Sequence, residues 1–452
     1  VLLSDYSSPG ELAFSYQLAR DNSNNNRFAF TTYVSPSAYV KLRVRASDNS
    51  GYTETSIELT GTTNITTAVV WDPHNANRLY VASKSANDKL QVAAITIAAD
   101  NSMTLGPWAE TVLQFNAYYQ MIDADPFTPG RLVAVCRDIY SSIQLVSYDG
   151  STWDMSGARL TTLPTYRSNG YDNPDGSINS IYWDRAEPNK LVIETTNLYS
   201  NVSPRGKVLL AYHVANNSSI IMVLQRVSIG ETGVSPSMGM CSTPVAPNTS
   251  RVISSSFGTS SQSYNSGNFK ILDITWNGSG PATLTQYTTP TVATGSYTGS
   301  GKYQGGAIVT HPDHNDTFVV MAPGYPPSGS TMSPTSSAYT FQLTPNTVGT
   351  YTQVKETSIG NVWSPRWYSL QMTSDGIIHA AVKDQLVPGV RTFTYQASLT
   401  SIQSNLNSTS LIGIADNDAI SGESVDVLVE GVYETSGLTA GTLYYVNTSG
   451  NI

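Results

Sequence analysis

A short apolar segment recurs along the chain behind a turn of Asn, Pro, Gly or Asp, and this repetition limits the fold more than any other feature. Its copies are Asn26-Arg27-Phe28-Ala29-Phe30, Asn77-Arg78-Leu79-Tyr80-Val81, Gly130-Arg131-Leu132-Val133-Ala134, Asn189-Lys190-Leu191-Val192-Ile193, Ser250-Arg251-Val252-Ile253-Ser254, Asp316-Thr317-Phe318-Val319-Val320 and Gly376-Ile377-Ile378-His379-Ala380. Counted from the second residue of each, the intervals are 51, 53, 59, 61, 66 and 60 residues. Each interval has room for one four-stranded unit. Several copies follow a second apolar run across a turn: Ala68 to Trp71, Met121-Ile122, Ile181 to Trp183 and Ala307 to Val309. Downstream come alternating runs such as Val40 to Val44, Leu90 to Ile95, Ile143 to Val146, Phe269 to Ile274 and Arg391 to Tyr395. Turns at Asp149-Gly150 and Asn277-Gly278 adopt positive φ readily and close hairpins.

Two hairpins per repeat predict an all-β chain: a seven-bladed β-propeller of four-stranded blades over residues 1–403 and a small β-rich module over 404–452. Radial stacking covers both faces of every sheet and leaves only short edges. Six or eight blades are the alternatives, because the first and last copies are the weakest. The seventh unit lacks an evident fourth strand. Leu2 to Tyr6 is expected to supply it and close the ring, with Leu411 to Ala415 as the competing segment.

Composition narrows the function classes. Hydrophobic residues make up 40% of the 452, enough for a large core, whereas charged residues are 13%, against roughly 25% in ordinary globular chains. The formal charge of −9 repels phosphate backbones and anionic lipid, so nucleic acid is not expected, and no apolar run approaches the roughly 20 residues that cross a bilayer, so membrane insertion is not expected either. The start Val1-Leu2-Leu3-Ser4 reads as processed or excised from a longer protein. Cys136 and Cys241 are read as buried thiols, with one long-range disulfide as the alternative.

The last stretch changes pattern. Leu411-Ile412-Gly413-Ile414-Ala415, the turn Ile420-Ser421-Gly422, the alternation Val425, Val427, Val429, and Gly437-Leu438-Thr439-Ala440-Gly441-Thr442-Leu443-Tyr444-Tyr445-Val446 follow in order. This stretch resembles the short β-module of bacteriophage tail-fibre and other virion appendage proteins, where it often follows a propeller-like region. The resemblance covers about a tenth of the chain. It implies a structural subunit of a virion appendage, assembled as a homo-oligomer with other appendage subunits and mediating attachment to host-surface glycan. A subunit of a bacterial extracellular filament or surface layer is the alternative.

The recurrent cations Arg27, Arg78, Arg131, Lys190 and Arg251 occupy one place per repeat, so ring closure spreads them apart rather than gathering them on one carboxylated sugar. Ser147-Tyr148-Asp149-Gly150-Ser151-Thr152-Trp153 is one residue too short for the Asp-box turn of sialidases and reads as a hairpin. His311-Pro312-Asp313-His314 has metal-ligand spacing but stands where other repeats have an Asp-Pro turn. The oxygen-rich loops Asp21 to Asn26, Asp172 to Gly176 and Asp416 to Asp418 are the alternative cation hosts; no metal or cofactor is expected. The Asn-x-Ser/Thr sequons are those a chain so rich in these residues contains by chance. No nucleophile or metalloprotease motif occurs, so the expectation is a non-enzyme, with a polysaccharide hydrolase or lyase as the rival. Tyr166, Tyr171, Tyr264, Tyr297, Tyr303 and Tyr325, set among Gly, Ser, Asn and Pro, are the expected glycan contacts, because tyrosine faces stack on sugar rings.

Overall fold

The computed structural model describes residues 2–9, 18–24, 26–34, 36–46, 51–62, 67–114, 120–136, 142–160, 176–197, 206–215, 219–228, 240–257, 266–287, 291–293, 307–312, 317–323, 335–343, 351–361, 368–374, 376–384, 389–396, 414–415 and 427–428. The chain divides into two compact units, Val1–Ala397 and Ser398–Ile452.

The first unit is all-β. Its antiparallel sheets are numbered in chain order, and sheets 1 to 6 each take their strands consecutively. Sheet 1 comprises Leu18–Arg20, Arg27–Val34, Ser37–Arg45 and Tyr52–Glu58. Sheet 2 comprises Ala68–Trp71, Arg78–Lys84 and Lys89–Ile97, with Met103–Leu105 and Ala109–Gln114 on the outer edge. Sheet 3 comprises Gln120–Ala124, Arg131–Cys136 and Ser142–Tyr148, edged by Trp153–Asp154 and Arg159–Leu160. Sheet 4 comprises Gly176–Trp183, Lys190–Asn197, Gly206–Ala215 and Ser219–Ser228. Sheet 5 comprises Met240–Ala246, Thr249–Phe257 and Ser266–Asn277, edged by Gly280–Tyr287 and Thr291–Ala293. Sheet 6 comprises Ala307–Thr310, Thr317–Pro323, Thr335–Leu343 and Tyr351–Asn361. Sheet 7 comprises Tyr368–Met372, Ile377–Asp384, Gly389–Gln396 and, from the other end of the chain, Leu2–Pro9.

The recurrent segment of the sequence is therefore the second strand of every sheet. Leu2–Pro9 pairs antiparallel with Gly389–Gln396 in the register Leu2 to Tyr395 and Pro9 to Gly389, so the fourth strand of sheet 7 comes from the N-terminal segment. In the second unit, Ile414–Ala415 pairs instead with Val427–Leu428. Leu443 to Val446 lies outside the described residues.

In sheets 2 and 3 the second strands are buried on both faces, which is why they read as near-continuous apolar runs: Leu79 to Ser83 and Arg131 to Cys136 are buried at every position. Each face meets a neighbouring sheet. Ala29, Val40 and Leu42 of sheet 1 pack with Val69, Trp71 and Val81 of sheet 2. Tyr80 and Val92 of sheet 2 pack with Ile122, Leu132 and Val146 of sheet 3, and the same arrangement joins sheets 3 and 4 and sheets 4 and 5. Burying one such Val or Leu contributes about 1.5–3 kcal/mol. The first strands of sheets 5 and 6 and of sheets 6 and 7 also lie against each other. Sheet 7 returns to sheet 1: Gln371 Nε2 donates to the Leu18 carbonyl at 3.1 Å, and His379 stacks on Phe28 with centroids 4.3 Å apart. This cyclic succession of sheets is β-propeller-like.

In sheets 2, 3 and 5 the outermost edge is one strand in two pieces, both paired with the third strand. Glycine permits the break where the edge presses on its neighbour: a Cβ on Gly157 would stand 2.2 Å from the Leu145 carbonyl oxygen. Cys136 is buried in the packing between sheets 2 and 3.

Candidate functional site

In sheets 1 to 6 strand 1 is joined to strand 2, and strand 3 to strand 4, at one end. The links from strand 2 to strand 3, and onward to the next sheet, lie at the other.

At the first end, sheets 1 to 4 share one device. The last residue of the first strand is followed by a buried aspartate: Asp21, Asp72, Asp125 and Asp184, none more than 3% exposed. Its N–H donates to the carbonyl of the residue six positions on, at 3.1, 3.0, 2.9 and 2.9 Å in Asp21, Asp72, Asp125 and Asp184. Its Oδ1 accepts the N–H two residues on, from Ser23, His74, Phe127 and Ala186, which forms an Asx turn. The turn then needs positive φ before the basic residue in sheets 3 and 4, supplied by Gly130 at 71° and Asn189 at 62°. Gly130 allows close approach as well, since a Cβ there would lie 2.0 Å from the Tyr148 carbonyl oxygen.

The residue six positions after the aspartate is the recurrent cation, and it reaches across the seam to the next sheet. Arg27 lies over Trp71 at 5.1 Å, Arg78 over Tyr148 at 5.2 Å, Arg131 over Trp183 at 4.7 Å and Lys190 over Trp276 at 5.5 Å. Arg27 Nη2 also donates to the Ala76 carbonyl at 2.9 Å, Arg131 Nη2 to Asn189 Oδ1 at 2.7 Å and Lys190 Nζ to the Gly278 carbonyl. Behind each arginine stands its own turn aspartate, closest for Arg131, whose Nε meets Asp125 Oδ2 at 2.5 Å. Sheet 5 departs from the pattern. Arg251 there makes a two-pronged pair with Asp273 at 2.7 and 2.8 Å and lies over Tyr287 of its own sheet. Arg27, Arg78, Arg131 and Lys190 are thus each held at their own seam and Arg251 within its own sheet, so these five do not converge on one ligand.

The acidic side chains at this end are similarly engaged. Asp123 Oδ2 accepts the Trp183 N–H at 2.7 Å, satisfying the free edge of the next first strand; burial raises its carboxyl above the usual range. Asp149 accepts N–H and O–H bonds from Ser151 and Thr152, which hold its carboxyl far below the usual range. Trp153 then folds against Tyr148 and Tyr80, so this segment is a hairpin built into the seam between sheets 2 and 3. His311 occupies the aspartate's place in sheet 6 and is buried, while Asp313 and His314 lie outside the described residues. In the loop from Asp21, the side-chain oxygens of Asp21 and Asn24 are taken by Ser23, Arg27 and Asn26. Among the described residues no group of three or more His, Cys, Asp or Glu side chains gathers into a metal site.

Tyr166, Tyr171, Tyr264, Tyr297, Tyr303 and Tyr325 all lie outside the described residues. The strand ends that flank them are described. Tyr264 falls between Phe257 and Ser266 and Tyr325 between Pro323 and Thr335, links from strand 2 to strand 3. Tyr166 and Tyr171 fall between Leu160 and Gly176, and Tyr297 and Tyr303 between Ala293 and Ala307, links from one sheet to the next. All four links start and finish at the end away from the aspartate turns. The aromatic partners of the cations are not evident from the repeat itself, although the Trp71-Asp72 and Trp183-Asp184 dipeptides mark two of them.

No protein-family model and no curated protein matches the chain. Solved structures do. Sqt1 from Chaetomium thermophilum superposes with a TM-score of 0.50 over 88% of this chain and 98% of that one, at 9% identity. The BP39L lectin from Burkholderia pseudomallei superposes with a TM-score of 0.51 over 85% of this chain and 96% of that one, at 12% identity. At such identities the likeness is one of fold.

Proposed function

We propose that the chain is a seven-bladed β-propeller that binds cell-surface glycan without catalysis, as a structural subunit of a tail-fibre-like virion appendage. Each of sheets 1 to 7 is one blade, and Leu2–Pro9 fastens the last. The observation that carries the binding role is the segregation of the two ends. Short hydrogen-bonded turns and committed ion pairs occupy one end, whereas the links bearing all six tyrosines belong to the other. One end is scaffold, leaving the other for contact. The fold shared with a lectin supports the reading, and the resemblance of the C-terminal module supports the appendage assignment.

Stacking of a sugar on one tyrosine contributes about 1 kcal/mol, so single sites are weak and useful affinity comes from several engaged together. Screening the full chain on an array of bacterial surface polysaccharides, with isothermal titration of any hit, tests the role. Tyr264→Ala with Tyr325→Ala is expected to weaken binding about tenfold or more. Unchanged affinity in that variant would refute the assignment of these residues. Light scattering of the native protein is expected to show a homo-oligomer, and a monomer would count against the appendage.

A further inference from the structure

The seam between sheets 4 and 5 departs from its neighbours in a way the repeat pattern makes visible. Opposite the recurrent cation, the third strand carries Val44, Thr96 and Ser147 in sheets 1 to 3, but His213 in sheet 4. The cation there is Lys190, not an arginine. Its Nζ donates to His213 Nδ1 at 3.1 Å and to the Gly278 carbonyl of sheet 5, and lies over Trp276. Asp184, which would be its turn partner, instead accepts Ser250 Oγ from sheet 5 at 2.7 Å. Among the described residues no carboxylate lies within ion-pair distance of Lys190. Arg27, Arg78 and Arg131 hold their seams with a permanently charged group and a carboxylate. This seam uses an ammonium whose hydrogen-bond acceptors are an imidazole and a backbone carbonyl.

We propose that the seam between sheets 4 and 5 is an acid-sensitive joint, in which protonation of His213 sets two cations face to face and releases the Lys190 strap from sheet 5. The imidazole accepts from Lys190 only while Nδ1 keeps its lone pair. Once protonated it is a donor facing a donor. Among the described residues, these charged and polar groups bear on it. Lys190 faces it from the second strand, and Asp184 and Glu187 in the adjoining turn act on Lys190. A hydrogen bond to the Asn189 backbone favours the imidazolium. The fourth strand opposes His213 with Ile221, which is apolar, and sheet 5 contributes neutral Ser250, Trp276 and the Gly278 carbonyl. On sheet 5, Arg251 and Asp273 are paired with each other.

Burial, and then the Lys190 charge, hold the imidazole below the ordinary histidine value. The unfolded chain therefore takes up the proton first, and stability of the seam falls as the pH drops from the ordinary value through the lowered one. The joint is closed at neutral pH and loosens in acid.

Hydrogen exchange followed by mass spectrometry on the full chain tests this, with rates corrected for intrinsic pH dependence. Between about pH 7.5 and about pH 5, protection of Lys190–Asn197 and Ser266–Asn277 is expected to fall about tenfold more than protection of Arg27–Val34 and Ala68–Trp71 at the seam between sheets 1 and 2. His213→Gln keeps an acceptor for Lys190 but cannot charge, and is expected to abolish the difference. Lys190→Gln removes the facing cation and is expected to do the same, which decides the matter should the first variant fail to fold. Equal pH responses at both seams in the native protein, or a native-like response in both variants, would overturn the proposal.

Discussion

Replacing Arg131 by alanine tests the scaffold role of the recurrent cations most severely. Arg131 is 4% exposed and makes three attachments: an ion pair to Asp125, a hydrogen bond to Asn189 across the seam, and a stack on Trp183. Its removal strands Asp125, 1% exposed, with only the N–H bonds of Phe127 and Thr128. Breaking a buried pair from one side costs about 3–5 kcal/mol, because the surviving charge stays desolvated. The double variant Arg131→Met with Asp125→Asn leaves no charge behind and should cost less than half as much. Lys89→Ala, which removes a half-exposed partner 3.7 Å from Glu110, should cost less than about 1 kcal/mol. Urea denaturation followed by circular dichroism, comparing midpoints at a common slope, ranks the three. The reasoning is refuted if Arg131→Ala unfolds at the midpoint of Lys89→Ala, or if the double variant is the least stable of the set.

Three further substitutions probe other parts of the argument. Gly157→Ala forces the broken edge of sheet 3 off the Leu145 carbonyl and should lower stability by about 1–3 kcal/mol. Gly278→Ala, in open space at φ 51°, should cost about 1 kcal/mol, and equal losses in thermal melts would count against the packing explanation. Asp123→Asn keeps an acceptor for the Trp183 N–H and removes a carboxylate whose proton affinity is raised by burial. The folded state binds that proton more tightly than the unfolded one, so this group's contribution falls as pH rises through the raised value. The variant should be no less stable than the native protein at neutral pH and less favoured in acid, and a loss above about 2 kcal/mol at neutral pH would contradict the assigned cause. Deleting Leu2–Pro9 uncovers the Gly389–Gln396 edge and should raise exchange across sheet 7 before sheets 2 and 3 respond.

The second strands were legible because both faces of each are buried, which leaves an uninterrupted apolar signature at a regular interval. First strands were legible only where a Trp or a Pro marked the turn, as at Trp71-Asp72-Pro73. The outer edges were not. Trp153–Asp154 and Arg159–Leu160 are too short to show alternation, and their break is enforced by a carbonyl of the neighbouring strand that no local pattern reveals. The seam contacts were half legible: the repetition of Arg27, Arg78 and Arg131 announced a structural role, but their aromatic partners lie on the next sheet, at a distance in sequence set by loops of varying length.

A repeat fold separates scaffold from function in a way a single-copy fold does not. Where the copies agree, as in the aspartate turn and its cation, the shared residue answers a need common to every seam, and closure spreads it too widely for one ligand. Departures carry the remaining information. Sheet 5 has Asp273 in place of a turn aspartate and keeps an arginine–carboxylate pair. Sheet 4 keeps the aspartate but gives it to Ser250, leaving Lys190 to His213. Only the second reaches across a seam, and it depends on an imidazole acceptor that acid converts to a donor. Scaffolding alone does not require that choice, since arginine and a carboxylate serve at the three preceding seams.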